Sequence, residues 1–129
     1  MQAALEAQKE WNRGIIFDAS GAVQAKSGLP VQAKDVQAFT TAFNDRDATF
    51  GNGLVIEGTN YEVHRVYEEE GMIYGRTHSI DPQEGEGIAL VRTPAAAGGF
   101  VYGLVTYRFP ILSAKAVPDL QAFLKQWVK

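Results

Sequence analysis

Between Gly53 and Tyr107 the chain breaks into five short apolar segments, at residues 53–57, 61–67, 72–79, 87–92 and 99–107. Turn chemistry separates them: Gly58-Thr59-Asn60, Glu70-Gly71, Asp81-Pro82 with Gly85, and Pro94 with Gly98-Gly99. Phe109-Pro110 closes the series. Parallel neighbours need crossover connections of a dozen or more residues, which these spacings do not leave. The segments therefore predict an antiparallel meander.

The flanks add four more elements. Residues 1–13 are rich in Ala, Glu, Gln and Lys and read as a helix, with Leu5, Gln8 and Trp11 or Asn12 on one face. Two strands at 14–17 and 22–26, joined by Asp18-Ala19-Ser20-Gly21, form a hairpin that Pro30 closes. Val36, Phe39, Ala42 and Phe43 recur at helical spacing within 33–46, with Asp35 in the favourable first turn. Residues 118–129 carry Leu120, Phe123, Leu124 and Trp127 on one helical face. Pro118 is expected at the first helical position, with Asp119 beside it and Lys125 and Lys129 at the other end. The order helix, two strands, helix, five strands, helix is an α+β domain spanning 1–129, built on an antiparallel sheet of about seven strands.

Composition removes several function classes. The 129 residues include no cysteine, which excludes disulfides, thiolate metal sites and cysteine nucleophiles. Hydrophobic residues at 46% and charged residues at 21% support an ordered core. Twelve Lys and Arg against fifteen Asp and Glu give a net charge of −3, which argues against a general nucleic-acid binder. No apolar run approaches the roughly 18 residues of a membrane span, and the first residues lack an apolar signal core, so a cytoplasmic protein is expected.

Catalytic constellations are thin. His78-Ser79-x-Asp81 has the residue types of a triad, but strand neighbours point to opposite faces and cannot converge. His64 is expected to pack with one nitrogen hydrogen-bonded. Gly51-Asn52-Gly53 follows a helix and precedes a strand, the reverse of a phosphate loop. Asp45-x-Asp47 lacks the further oxygens of a calcium loop, and Glu68-Glu69-Glu70 reads as a solvated hairpin tip. No catalytic residue, metal or cofactor is assigned.

Strand alternation is more informative. In 61–67 one side carries Tyr61, Val63, Arg65 and Tyr67, and the other Glu62, His64 and Val66. Met72, Tyr74 and Arg76 share a side opposite Ile73, Gly75 and Thr77, and Ala89 and Val91 oppose Ile88 and Leu90. Neither side is simply polar. One must cover the core. The second, with Tyr, Met and Arg, is either roofed by a helix or is a protein interface, where Tyr and Arg are enriched.

The chain resembles the profilin family. Gly14-Ile15-Ile16-Phe17-x-x-x-Gly21-x-Val23-x-Ala25-x-Ser27 is similar to the family's strand–turn–strand. Phe50-x-Asn52-Gly53-Leu54 with Gly58-x-x-Tyr61-x-Val63 matches a second family segment, and the rest aligns with few gaps to the C-terminus. The resemblance implies a central sheet with the N- and C-terminal helices on one side and the middle helix on the other. It implies a monomeric, cytoskeleton-associated protein that binds actin monomers, sequesters or delivers them, suppresses nucleation and modulates nucleotide exchange. Carried over by position, the actin-binding residues are Arg65, Tyr74, Arg76, Gly87, Ile111, Leu112, Ala114, Val117 and Gln121. Tyr74 stands where an arginine is usual, and Gly87 where the family can place a polar contact.

A groove for proline-rich peptides is carried less completely. Trp11 and Trp127 remain, but Gln24 replaces the second-strand tryptophan and Gln126 a C-terminal histidine. Phosphoinositide binding would draw on Arg65, Arg76, Arg92, Arg108 and Lys115, against the negative net charge. The short first segment and altered groove mark a divergent member; the cysteine-free composition fits a prokaryotic or archaeal profilin as well as a eukaryotic one, and the former is expected. The rival readings are a roadblock- or longin-like platform for a small GTPase and a small-ligand sensor. Five strands between the last two helices and the Phe50-to-Val63 match favour the profilin pattern over the platform, and a sensor would need an apolar pocket with convergent polar groups that the sequence does not locate.

Overall fold

A computed structural model describes residues 1–28, 33–78 and 84–128. In chain order the elements are α1 (Gln2–Glu6), β1 (Arg13–Asp18), β2 (Val23–Ser27), α2 (Ala33–Thr41) and α3 (Arg46–Asn52). They are followed by β3 (Leu54–Ile56), β4 (Thr59–Tyr67), β5 (Met72–Thr77), β6 (Glu86–Pro94), β7 (Phe100–Arg108) and α4 (Ser113–Trp127). The strands make one seven-stranded sheet in the order β2-β1-β7-β6-β5-β4-β3. Every pairing is antiparallel, and β1 docks on β7 to bring the first hairpin beside the last strand.

Local chemistry sets the turns. The Asp18 carboxylate accepts from the Ser20 and Ala22 amides and folds the β1–β2 turn, which lowers the Asp18 pKa, chiefly through its bond to the Ser20 side chain. Between β3 and β4 only Glu57 and Gly58 intervene, both at positive φ, the backbone that matches the twist of a two-residue hairpin. Asp35, buried in the first turn of α2, accepts from the Glu57 amide at 2.9 Å and ties that turn to the helix.

Alternation divides the sheet into two packed layers. One face buries Ile15, Phe17, Tyr61, Val63, Val66, Ile73, Ile88, Leu90, Tyr102 and Leu104 against Val36, Phe39, Ala42 and Phe43 of α2 and the turn after it. The other buries Ile16, Ala89, Val91, Val101, Val105 and Tyr107 against Leu5 of α1, Trp11, and Ala116, Val117, Leu120, Phe123 and Leu124 of α4. The terminal helices thus share one side and the middle helix takes the other, as the resemblance implies.

Several local expectations give way. The N-terminal helix stops at Glu6 rather than Arg13, because it buries only Leu5 and the Asn12 amide already bonds the Thr106 carbonyl of β7. The 33–46 segment is helical only to Thr41. A separate helix, α3, then starts where Asp45 accepts from the Ala48 amide as its N-cap. Gly51 and Asn52 belong to the end of that helix, and the Thr49 hydroxyl donates to the Ala42 carbonyl to hold the two helices together.

The last helix begins at Ser113, five residues before Pro118, so Pro118 lies inside it. Its missing N–H leaves the Ala114 carbonyl without a helical donor. Both residues face solvent, where water can serve that carbonyl, and burial of Ala116 and Val117 beside them offsets the cost. Strand β4 does not alternate throughout. Val63 pairs with Gly75 and Arg65 with Tyr74, leaving His64 as the extra residue of a bulge. Tyr61 and Val63 therefore face α2, whereas Arg65 and Tyr67 face the opposite side.

His64 is exposed rather than packed. His78 is exposed as well, 3.4 Å from Glu62. Pro30, Ser79, Asp81, Pro82 and Lys129 lie outside the described residues.

Candidate protein interface

The bulge decides which side chains meet on the α4 side of the sheet. Beyond it, Arg65 stands opposite Tyr74 and Tyr67 opposite Met72, and before it Glu62 stands opposite Arg76. Tyr67 and Tyr74 lie with ring centroids 6.3 Å apart, and burial together with the bond to Tyr67 raises the Tyr74 pKa. α4 covers β6 and β7 on this side but only skirts β5. It leaves an open groove of about 290 Å³ walled by Tyr67, Met72 and Tyr74 on the strands and by Ala114, Val117 and Gln121 on the helix. The Gln121 amide donates to the Met72 thioether at 3.8 Å across that groove.

Beneath the groove, Tyr107 fixes the start of α4. It is fully buried, its hydroxyl donates to the Ile88 carbonyl at 3.2 Å, and it shares a hydrogen bond with the Ser113 hydroxyl at 2.6 Å. Burial pushes the Tyr107 pKa up to about 12. The ring also explains Gly87, since a Cβ there would lie 2.3 Å from Tyr107 Cε2. Gly87 is buried under that ring and presents no side chain to a partner.

The charged positions flank the groove. Arg65 is exposed and its Nη1 donates to the His64 carbonyl at 2.7 Å, so the bulge holds the guanidinium it displays. Arg76 is half-buried and lies over Gly85, where an added Cβ would approach its Nη2 to 3.3 Å. Ile111 packs partly into the core, and Leu112, 49% exposed, caps the helix start.

Of the residues carried over from the resemblance, Tyr74, Ala114, Val117 and Gln121 line one groove, with Arg65 and Arg76 beside it. Tyr67, Met72, Ser113 and Pro118 complete the wall. Strand parity pointed to the first two, which stand two residues from Arg65 and Tyr74. Ser113 and Pro118 were hidden by the misplaced helix start.

The remaining sequence candidates are dispersed. Trp11 is buried in edge contact with Phe123 at 5.7 Å, and Trp127, 38% exposed, meets the same ring at 6.4 Å. Phe123 stands between the two tryptophans. The adjacent hollow is lined by Gln8, Trp11, Asp119, Ala122, Phe123 and Gln126, a mostly polar wall. Arg92 lies on the α2 side between the rings of Phe43 and Phe100 at 4.4 and 4.2 Å. Lys115 binds Glu10 and Asp119, and these carboxylates raise its pKa, Asp119 most. Arg108 lies 3.6 Å from Glu86. The five basic residues therefore do not form one patch.

Glu86 organises a polar cluster at one end of the α2 side, accepting from the Tyr61 hydroxyl and from the Asn12 side-chain Nδ2 at 3.0 Å. Burial, then that bond, raise the Tyr61 pKa. Among the described residues no group of three or more His, Asp or Glu is arranged to hold a metal ion. No helix there is long and apolar enough to cross a membrane.

Comparison with known proteins agrees with this architecture. The profilin family model matches residues 1–104. Profilin IA of Acanthamoeba castellanii is 20% identical, with a TM-score of 0.77 and coverage of 97% of this chain and 94% of that one. The Schizosaccharomyces pombe profilin is 22% identical over the same shares, with a TM-score of 0.75. LokiProfilin1, in a complex with rabbit actin, is 14% identical, with a TM-score of 0.67 over 96% of this chain and 87% of that one. No curated protein matches significantly. The family match spans most of the chain, and the seven strands and terminal helices are laid out as in those structures, so this chain belongs to the profilin family.

Proposed function

We propose that the chain binds an actin monomer through the groove between β4–β5 and α4. The observation that carries this reading is an apolar, aromatic-walled groove flanked by Arg65 and Arg76, on the side of the sheet that α4 leaves partly open. The family match and a structural neighbour captured with rabbit actin support it.

Binding requires no chemistry by this chain. Occupying one face of a monomer blocks some filament contacts, and unequal affinity for two states of the monomer's cleft shifts nucleotide exchange. Tyr67 and Tyr74 supply the rigid contact area, and Arg65 an anchor for a carboxylate.

Pyrene-actin polymerisation with sedimentation velocity of the mixture tests the proposal, using a eukaryotic and an archaeal actin. The expected result is slower spontaneous nucleation, a one-to-one complex, and loss of about 2 kcal/mol or more of binding energy in the Arg65→Ala/Tyr74→Ala double variant. Absence of any complex with either actin overturns the reading and turns the search toward a small GTPase.

A further inference from the structure

We propose that Met72 is a reversible oxidation site that regulates partner binding at the groove, a peroxide converting its thioether to the sulfoxide. The proposal rests on reading the groove as the actin-binding surface. The chain holds two methionines and no cysteine, so no thiol of its own competes for the oxidant. Met1 is at the chain start, away from the groove. Met72 is half-buried, with Tyr67 opposite it in register, Tyr74 two residues on, and Val117, Pro118 and Gln121 across from it.

The step balances without a cofactor. A sulfur lone pair attacks one oxygen of hydrogen peroxide, the S–O bond forms as the O–O bond breaks, and the departing hydroxide takes the proton of the transferred hydroxyl and leaves as water. The product is polar and chiral in place of a flexible apolar side chain. The Gln121 Nε2, already donating to Sδ at 3.8 Å, is the protein donor at hand for the new oxygen. An apolar side chain docking from a partner would have to desolvate that oxygen. Met72 borders the core without being enclosed by it, so the fold tolerates the change.

The test treats the full chain with hydrogen peroxide and follows intact mass, peptide mapping, circular dichroism and actin affinity. The expected result is one added oxygen on the Met72 peptide, an unchanged far-ultraviolet spectrum, and about tenfold weaker actin binding. Methionine sulfoxide reductase should restore affinity, and Met72→Leu, which conserves volume, should show no change in its own actin affinity on peroxide treatment. Resistance of Met72 at doses that oxidise Met1, unchanged affinity after its oxidation, or a Met72→Leu variant as sensitive as the original would each overturn the proposal. If untreated protein binds no actin, the actin reading falls by itself. The Tyr67 and Tyr74 ring resonances then decide the local claim: a reductase-reversible shift on oxidation supports it, and no shift overturns it.

Discussion

The two faces of the sheet are built from the same strands but finished differently. On the α2 side the cover is closed over β1 and β7, and the hollow of about 410 Å³ there lies at the β3 edge, between α2 and α3. Phe17 stacks on Tyr102 at 5.3 Å with ring planes almost parallel, Phe39 and Phe43 tilt against them, and Arg92 seals the rim between Phe43 and Phe100. On the α4 side the cover is partial: the helix seals β6 and β7, and its edge leaves Arg65, Tyr67, Met72, Tyr74 and Arg76 half-buried or exposed. The difference teaches that an apolar strand face need not be core. What distinguishes the two is whether a helix lies over it, and here a single fifteen-residue helix is too narrow to roof five strands.

Deleting a ring from the closed face should cost most. Phe39→Ala removes a fully buried side chain and is expected to lower stability by about 3–5 kcal/mol in urea or guanidinium unfolding. A loss under about 1 kcal/mol would show that α2 is a loose cover and erase the contrast.

The next effect belongs to Tyr107, under the open groove. Its pKa is about 12 in the folded protein against 10 when exposed, so the native state keeps a proton that the unfolded chain has lost. Stability is therefore fully present below pH 10 and falls as pH rises toward 12. For a fully buried group the fall is about 2–3 kcal/mol. Tyr61, also raised, adds to the same slope. Denaturation curves from pH 9 to 12 should show the decline, and Tyr107→Phe should make it shallower. An equally steep slope in that variant would place the titrating group elsewhere.

The smallest effect is expected on the open face. Arg65→Ala and Tyr74→Ala should each change unfolding free energy by no more than about 1 kcal/mol, since neither side chain is enclosed. A larger loss would mean that these residues serve the fold, and would remove the reason to read their surface as an interface.

Much of this was legible in the sequence. The strands were visible because Gly, Pro and Asn punctuate them, and the two helical faces of α2 and α4 because Val36, Phe39 and Phe43, and Leu120, Phe123 and Leu124, recur at helical spacing. α3 was not, since it offers no apolar stripe and buries only Thr49. The start of α4 was misplaced because Pro118 usually marks a first turn, and only the packing of Ala116 and Val117 outweighs that preference. The groove residues are legible only partly, by accident of phase. Plain alternation put Arg65 with Tyr61, a core residue, and also with Tyr74, and only the second holds. A bulge has no local sequence signature here, because His64 and its neighbours are ordinary strand residues.

That bulge makes β4 a strand with two allegiances. Its first half, through Tyr61 and Val63, belongs to the packed interior. Its second half turns Arg65 and Tyr67 toward the proposed interface while Val66 stays in the core. His64 is the spacer between them, and what matters is that it stands out of the ladder rather than which residue it is. The chemistry of its exposed side chain is free to drift, whereas drawing it into the ladder in ordinary alternation would rephase everything after it, turning Tyr67 inward and Val66 out. One residue held out of register, its carbonyl taking the Arg65 guanidinium, sets which half of the strand lies open to the groove.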